Sequence, residues 1–320
     1  MKYSRKIIIT GGAGFIGSNY LNRFVVNYPE YLFINIDYLT YAGDLDKIKI
    51  SDSPNYIFRK EDIRNLVSLE KIFNSHKPTD VIHFAAESHV DFSIENPSIF
   101  IETNVNGTNN LLLLSKKYGI NRFHQVSTDE VYGSLGHKDN PFTRNSPLKP
   151  NSPYSASKAS ADLLVRAYNK TFGLNTVITR CSNNYGPGQD TSKLIPKFLN
   201  NLLDGKKVPL YSKGENIRDW IYVEDHIDAI DLVFHKGTSG EIYNVGGDCE
   251  LSNIKITEIL LKLTGRDKDF IEHVADRLGH DFRYAVDNKE IKTELGWKPK
   301  VAFDNGIRMT LEYYQKKFQK

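Results

Sequence analysis

Through the first half of the chain, short apolar runs alternate with longer stretches whose apolar residues recur every three to four positions. The runs are KIIIT, LFINID, DVIHFA and FHQVS; between them the spacing predicts helices from about Ser18, over residues 67–75 and over residues 99–118. A helix over 154–172 and the strand TVITR at 176–180 continue the rhythm. Strands and helices in that order predict an α/β protein with a parallel sheet covered by helices on both faces. Beyond Arg180 the rhythm breaks: SNNYGPGQ reads as loop and PLYSKG as a strand leading into a turn. A helix over 224–234 and the strand EIYNVGG rejoin the first domain, and the remainder from about Leu251 is helical with loops. The expected division is residues 1–180, with 224–247 returning to them, and a smaller discontinuous domain of 181–223 and 248–320. Internal repeats and low-complexity tracts are not seen, and Pro and Gly mark loops.

Composition narrows the class. The 320 residues are 40% hydrophobic and 25% charged, a globular balance with ample core. Net charge is +3 and the basic residues are dispersed, so bulk electrostatics predicts neither nucleic-acid nor membrane binding, while slight basicity suits an anionic ligand. Cys181 and Cys249 lack metal-type spacing, which fits a reducing cytosol without disulfides and predicts no metal site. The apolar run near the start is too short for a signal peptide, and LLLL at 111–114 is far below a membrane span. A soluble cytoplasmic protein is expected.

Candidate chemistry begins at TGGAGFIG, after the first strand and at the opening of the first helix. Gly12, Gly14 and Gly17 satisfy G-x-G-x-x-G, and Gly11, Gly14 and Gly17 the related G-x-x-G-x-x-G; both spacings remain open. Glycines there let the backbone approach a pyrophosphate lying against the positive end of the helix dipole. Glycines at strand ends also serve turns alone, but Asp37 ends the second strand 20 residues after Gly17. An acid at that point accepts from both ribose hydroxyls and repels a 2′-phosphate, which favours NAD over NADP. Together these signals predict a doubly wound parallel Rossmann sheet. Asp62-Ile63 suits the adenine edge or is an ordinary strand-end pair, and the small residues of AAESH suit either a close cofactor or helix packing.

Further on, YSASK puts Tyr154 and Lys158 on one face of a helix. An ammonium near the phenol lowers its pKa, so that the tyrosine takes a proton from an alcohol as hydride leaves for a nicotinamide. Alone, such a spacing is ordinary surface sequence; after a dinucleotide fingerprint it reads as catalytic. Residues 126–133, VSTDEVYG, end a strand on Thr128, Asp129 and Glu130. A solvated turn is the plain account of that triplet.

The segments TGGAGFIGS, DYLTYAG, HFAAESHVD, STDEVYG, NSPYSASKA, TRCSNNYGP, KLIP, RDWIYVEDH and ELGWKPK occur in order over essentially the full length. On these the chain resembles the extended short-chain dehydrogenase/reductase superfamily and, within it, the dTDP-glucose 4,6-dehydratases. The glycines and Y-x-x-x-K are superfamily-wide, whereas STDEVYG with SNNYGP and RDW is the sugar-nucleotide dehydratase pattern. The resemblance implies an NAD-dependent lyase that oxidises carbon 4 of dTDP-glucose, removes water across carbons 5 and 6, and returns hydride to carbon 6.

It further implies that Thr128, Asp129, Glu130, Tyr154 and Lys158 are catalytic. Glu130 would be the base at carbon 5, Asp129 the acid protonating the leaving hydroxyl, and Thr128 a donor to the carbon 4 oxygen. Two adjacent carboxyl groups provide the acid and base that elimination needs. Burial and a neighbouring carboxylate favour a protonated Asp129, but which carboxyl holds the proton stays open, because close pairs titrate together. A 4-epimerase needs only the oxidation step and has no use for the pair.

Carried over residue by residue, NAD would be held by Gly11, Gly14, Phe15, Ile16, Gly17, Asp37, Tyr38, Leu39, Thr40, Asp62, Ile63, Phe84, Ala85, Ala86, Ser88, Thr103 and Asn184, with Tyr154 and Lys158. The nucleotide sugar would meet Ser88, Thr128, Asn183, Lys193, Leu194, Pro209, Tyr211, Arg218, Asn253, Arg277 and His280. Arg218 suits bidentate phosphate contact, although a salt bridge to Asp219 or Asp225 would also employ it. Family members are usually homodimers through helices such as those of 99–118 and 154–172; Leu111–Leu114 is apolar enough for that role or for burial under the sheet. The chain departs from the family at Phe92 (usually Arg), at Leu278 (usually Pro) and at GPGQDTSK (usually GPYQFPEK), the last near the substrate entrance and bearing on base specificity. Other readings are a UDP-glucose or other nucleotide-hexose 4,6-dehydratase, a 4-epimerase, and a non-catalytic NAD-binding scaffold.

Overall fold

Strand β1 (Arg5–Thr10) sets the layering, because successive side chains point to opposite faces. Ile7 and Ile9 enter one apolar cluster and Ile8 the other, all fully buried. The computed structural model describes residues 3–276 and 278–318. From β1 the chain continues through α1 (Phe15–Asn27), β2 (Tyr31–Asp37), β3 (Tyr56–Lys60), α2 (Leu66–His76) and β4 (Asp80–His83). A helical stretch of α3 (Val90–Glu95), α4 (Pro97–Phe100), a π-turn (Ile101–Gly107) and α5 (Thr108–Lys117) leads to β5 (Arg122–Thr128). Then come α6 (Pro153–Phe172) and β6 (Thr176–Cys181). Helix α1 starts at Phe15 rather than near Ser18, because Gly14 is its N-cap.

Strands β1–β6 and β10 (Ile242–Val245) form one seven-stranded sheet, ordered β10-β6-β5-β4-β1-β2-β3, with every pairing parallel. The order reverses beside β1, where a crevice opens at the carboxyl ends of the strands. Leu111, Leu112 and Leu114 of α5 lie in the core beneath the sheet, whereas Leu113 is 42% exposed.

The remaining segments build a smaller lobe with its own apolar cluster. It contains β7 (Asn183–Tyr185), β8 (Val208–Tyr211), β9 (Ile217–Tyr222), β11 (Glu250–Ser252) and β12 (Ile271–Val274), paired as β11-β9-β7 and β12-β8. Its helices are α7 (Leu194–Leu203), α9 (Asn253–Thr264) and α11 (Phe303–Phe318); α8 (Val223–Lys236) packs instead beside α1, and α10 (Lys289–Leu295) against β10. Two sequence expectations are corrected. The SNNYGPGQ segment is not all loop, since Asn183–Tyr185 pairs with Trp220–Tyr222, and the part after Leu251 contains strands as well as helices. No described helix is long and apolar enough to cross a membrane.

Candidate active site

The crevice is a cleft bounded by both lobes. At one end lie Gly11, Gly14 and Gly17, which decides between the two glycine spacings. Gly12 faces the protein: a Cβ there would lie 2.2 Å from Asn35 Oδ1. Gly11 has φ of +71°, and a Cβ on Gly17 would lie 2.4 Å from the Gly11 carbonyl oxygen. Helix α1 has no side-chain cap, so the first-turn amides beside the cleft have no capping side chain. That surface fits an anion bridging two nucleosides.

Asp37 closes this end. Its Oδ2 accepts from Ala13 N at 2.9 Å and its Oδ1 from Leu39 N at 2.8 Å, so the carboxylate is aimed by backbone rather than by a cation. Burial raises its pKa, opposed by those two donors. Phe15, Ile16, Tyr38, Thr40, Asp62, Ile63, Phe84, Ala85, Ala86, Ser88 and Thr103 line the same cleft. Leu39 does not; at φ 58° it serves Asp37 through its amide. Thr103 reaches the cleft from the π-turn, whose Asn104 donates to the Glu87 carbonyl at 3.0 Å and to Ser157 Oγ at 2.8 Å.

At the other end the cleft is lined by Thr128, Asp129, Glu130, Tyr154, Lys158, Asn183, Asn184 and Lys193. Thr128 ends β5, and its hydroxyl caps the following 3-10 turn by accepting from Glu130 N at 3.3 Å. Helix α6 begins with a capping box between Ser152 and Ser155, with Pro153 in its first turn, and so presents Tyr154 and Lys158 inward. The Thr128 hydroxyl donates to Asp129 Oδ1 at 3.4 Å, and beside the Tyr154 phenol it opposes the rise in that group's pKa. Asp129 is 1% exposed, and its Oδ2 has no hydrogen-bond partner among the described residues. Burial pushes its carboxyl well above the usual range; Glu130 and Asp219 push the same way, and Arg218 opposes them.

Two electrostatic expectations change. The Tyr154 phenol is raised, not lowered: burial dominates and the negative charge of Glu130 adds to it. The Lys158 ammonium donates to the Val126 carbonyl at 2.9 Å, and burial lowers its pKa while Asp162 opposes the fall. Asn184 borders the cleft, but its amide turns inward, accepting from His226 Nδ1 at 2.8 Å and donating to the Ser182 carbonyl at 3.0 Å. The buried His226 imidazole, held neutral by desolvation, must donate there, because an amide oxygen only accepts.

Of the residues assigned to the nucleotide sugar, Leu194, Pro209, Tyr211, Arg218, Asn253 and His280 do not line this cleft and sit on the small lobe; Arg277 lies outside the described residues. Tyr211 and His280 meet edge to face at 5.8 Å. The Arg218 guanidinium lies 4.2 Å from the Tyr284 ring centroid and donates to the carbonyls of Ile217, Asp281 and Phe282. Asp219, one of the two salt-bridge partners considered for it, instead accepts from Gly247 N and Cys249 N, and burial raises it to about 6. Since Arg218 and Asp219 both act on Asp129, this lobe reaches the chemical end of the cleft.

The family model described as GDP-mannose 4,6 dehydratase matches residues 8–310. The dTDP-glucose 4,6-dehydratase of Shigella flexneri is 48% identical, covering 97% of this chain and 92% of its own length. The chain belongs to the dTDP-glucose 4,6-dehydratase family. The dTDP-glucose 4,6-dehydratase of Streptomyces venezuelae, solved with NAD and dTDP bound, superimposes with a TM-score of 0.94 at 46% identity over 97% of both chains. A UDP-glucose 4-epimerase of Thermotoga maritima, 32% identical, gives 0.91 over 98% of this chain and 99% of its own. The dehydratases therefore share their scaffold with epimerases, and what separates the two activities must be sought in side chains.

Sequence reasoning missed several cleft residues. Cys181 is in register with Thr128 on the adjacent strand, so a search of every strand end would have found it. Arg64 follows Asp62-Ile63 and pairs with Asp62 at 2.6 Å. Glu87, Gln189 and Asp190 also line the cleft, and no spacing signals them.

Proposed function

We propose that this protein converts dTDP-glucose to dTDP-4-keto-6-deoxyglucose and water, with NAD as a bound catalyst. The observation that carries the reading is the buried Asp129, its carboxyl pushed well above the usual range, beside Glu130 and in the same cleft as Tyr154, Lys158 and the glycine turn. An enzyme that only oxidised and reduced carbon 4 would have no task for two carboxyls there. NAD in the cleft supplies a reversible hydride acceptor, so the net reaction is loss of water.

The chain's own groups supply the rest. Tyr154 takes the proton of the carbon 4 hydroxyl as its phenolate, a form that the Lys158 ammonium and the positive charge of a bound oxidised nicotinamide would favour against burial, and Thr128 steadies the oxygen left behind. Glu130 removes the carbon 5 proton made acidic by the neighbouring ketone, Asp129 gives its proton to the departing hydroxyl, and Glu130 gives its proton back to carbon 5 as the hydride taken from carbon 4 returns to carbon 6. Arg218, Tyr211 and His280 hold the nucleotide from the small lobe, with Lys193 between the lobes, where its ammonium donates to the Ser88 carbonyl at 2.8 Å. The enzyme acts in the cytoplasm as a homodimer through α5 and α6, whose Leu113, Leu163 and Phe172 are exposed apolar residues.

Incubation of the purified protein with dTDP-, UDP- and GDP-linked hexoses, followed by mass spectrometry, tests the reading. Loss of one water from dTDP-glucose is expected. Loss from UDP-glucose alone would move the assignment to that substrate, and an unchanged mass with inverted carbon 4 would make the protein an epimerase. Glu130→Gln should abolish water loss while preserving oxidation at carbon 4.

A further inference from the structure

We infer that Asp162, on α6 one turn beyond Lys158, is the positioning residue that keeps Lys158 charged and ties the helix carrying the tyrosine to the strands carrying the acid pair. The inference rests on the Proposed function only for the task given to Lys158. Tyr154, Lys158 and Asp162 follow at four-residue spacing, so all three stand on the face of α6 turned to the sheet, and all three are buried. Asp162 Oδ2 accepts from Arg180 Nε on β6 at 2.8 Å and from Ser127 Oγ on β5 at 3.0 Å. Ser127 immediately precedes Thr128 and Asp129, and Arg180 precedes Cys181. One carboxylate thus joins the three elements that converge on the site. Arg180 in turn lies 4.8 Å from the ring centroid of Tyr132, the last residue of the acid turn.

A buried cation needs a counter-charge, and two cations share this one. Lys158 has the Val126 carbonyl as its hydrogen-bond acceptor, which is neutral. The titratable groups that interact electrostatically with Lys158 are Asp162 on its own helix, Cys181 on β6 and His83 on β4; Tyr154 stands one turn before it on α6, and Asp129 and Glu130 line the same cleft from the end of β5. Burial keeps His83 neutral at about 3 and the Cys181 thiol protonated at about 12. Burial likewise favours the proton on Asp129. Among the carboxyl groups Asp162 is the one that acts on Lys158, and it is the charged neighbour that acts on it most.

A double-mutant cycle in thermal unfolding tests the pairing without reference to substrate. Lys158→Met should raise the melting temperature more in an Asp162→Asn protein than in the unsubstituted chain, because it removes a buried cation whose partner has gone. Should Asp162→Asn alone fail to fold for want of a partner to Arg180, the same cycle is run in an Arg180→Met background, where no guanidinium is stranded. No coupling, or coupling of the opposite sign, overturns the inference. In the dehydration assay, Asp162→Asn should move the alkaline limb of the pH–rate profile down by about one pH unit or more, and Arg180→Met should move it up. A purely structural Asp162 would lower the rate without displacing the limb, and shifts in one common direction would also overturn the claim. If the unsubstituted protein dehydrates no sugar nucleotide, the Proposed function fails while the unfolding cycle still decides the pairing.

Discussion

Asp129 and Glu130 are consecutive in the chain but differ in environment: the first is enclosed, while the second is half-buried at the cleft wall. Because Asp129 has a higher pKa folded than unfolded, the native protein keeps a proton that the unfolded chain has released, and stability falls as pH rises between the two values. Asp129→Asn removes that cost. The variant should melt above the unsubstituted protein at pH 7, the gap closing as pH falls to the ordinary carboxylate value, while dehydration is lost; calorimetry across pH and product mass check the two halves. Tyr154→Phe should slow carbon 4 oxidation by about 10²–10⁴-fold in single-turnover absorbance, since it deletes the proton acceptor. The roles given to these residues came from the family resemblance, whereas their placement, at a strand end and at a four-residue helical spacing, was legible in the sequence itself. Asp162 and Asp219 were not, because the groups that give them meaning come from strands distant in the chain.

At the level of elements, the turn from β1 into α1 is the part least tolerant of added atoms. Gly17→Ala must push α1 off the Gly11 carbonyl, at a cost of about 1–3 kcal/mol, and should weaken NAD binding in a calorimetric titration. The alternation of strands and helices up to β6 was readable because these strands are centred on buried apolar residues, such as Ile7–Ile9, Leu32–Ile34, Val81–Ile82 and Val177–Ile178. Strand β7 escaped because it is three residues of Asn-Asn-Tyr whose strand character comes from pairing with β9, a tertiary effect that local propensity does not carry. The π-turn escaped because apolar spacing does not distinguish it from the helices on either side.

For the whole molecule, assembly is the open expectation. Leu113 of α5 and Leu163 of α6 are 42% and 56% exposed, although both helices bury their other faces within the chain. Leu113→Asp with Leu163→Asp should convert the proposed dimer to a monomer in sedimentation velocity while leaving the melting transition cooperative. Sequence spacing could not separate these two leucines from their buried neighbours, because LLLL at 111–114 and LLV at 163–165 set exposed and buried apolar residues side by side. The sheet order has one more consequence. β10 is made only after β7, β8 and β9, yet it is the outermost strand beside β6. During synthesis β6 therefore waits as an open margin, able to recruit a stranger's backbone, until residues 242–245 emerge to seal it. The first part of the smaller lobe must therefore be made before the large sheet can be finished, so a product terminated short of residue 242 would be sticky rather than merely inactive.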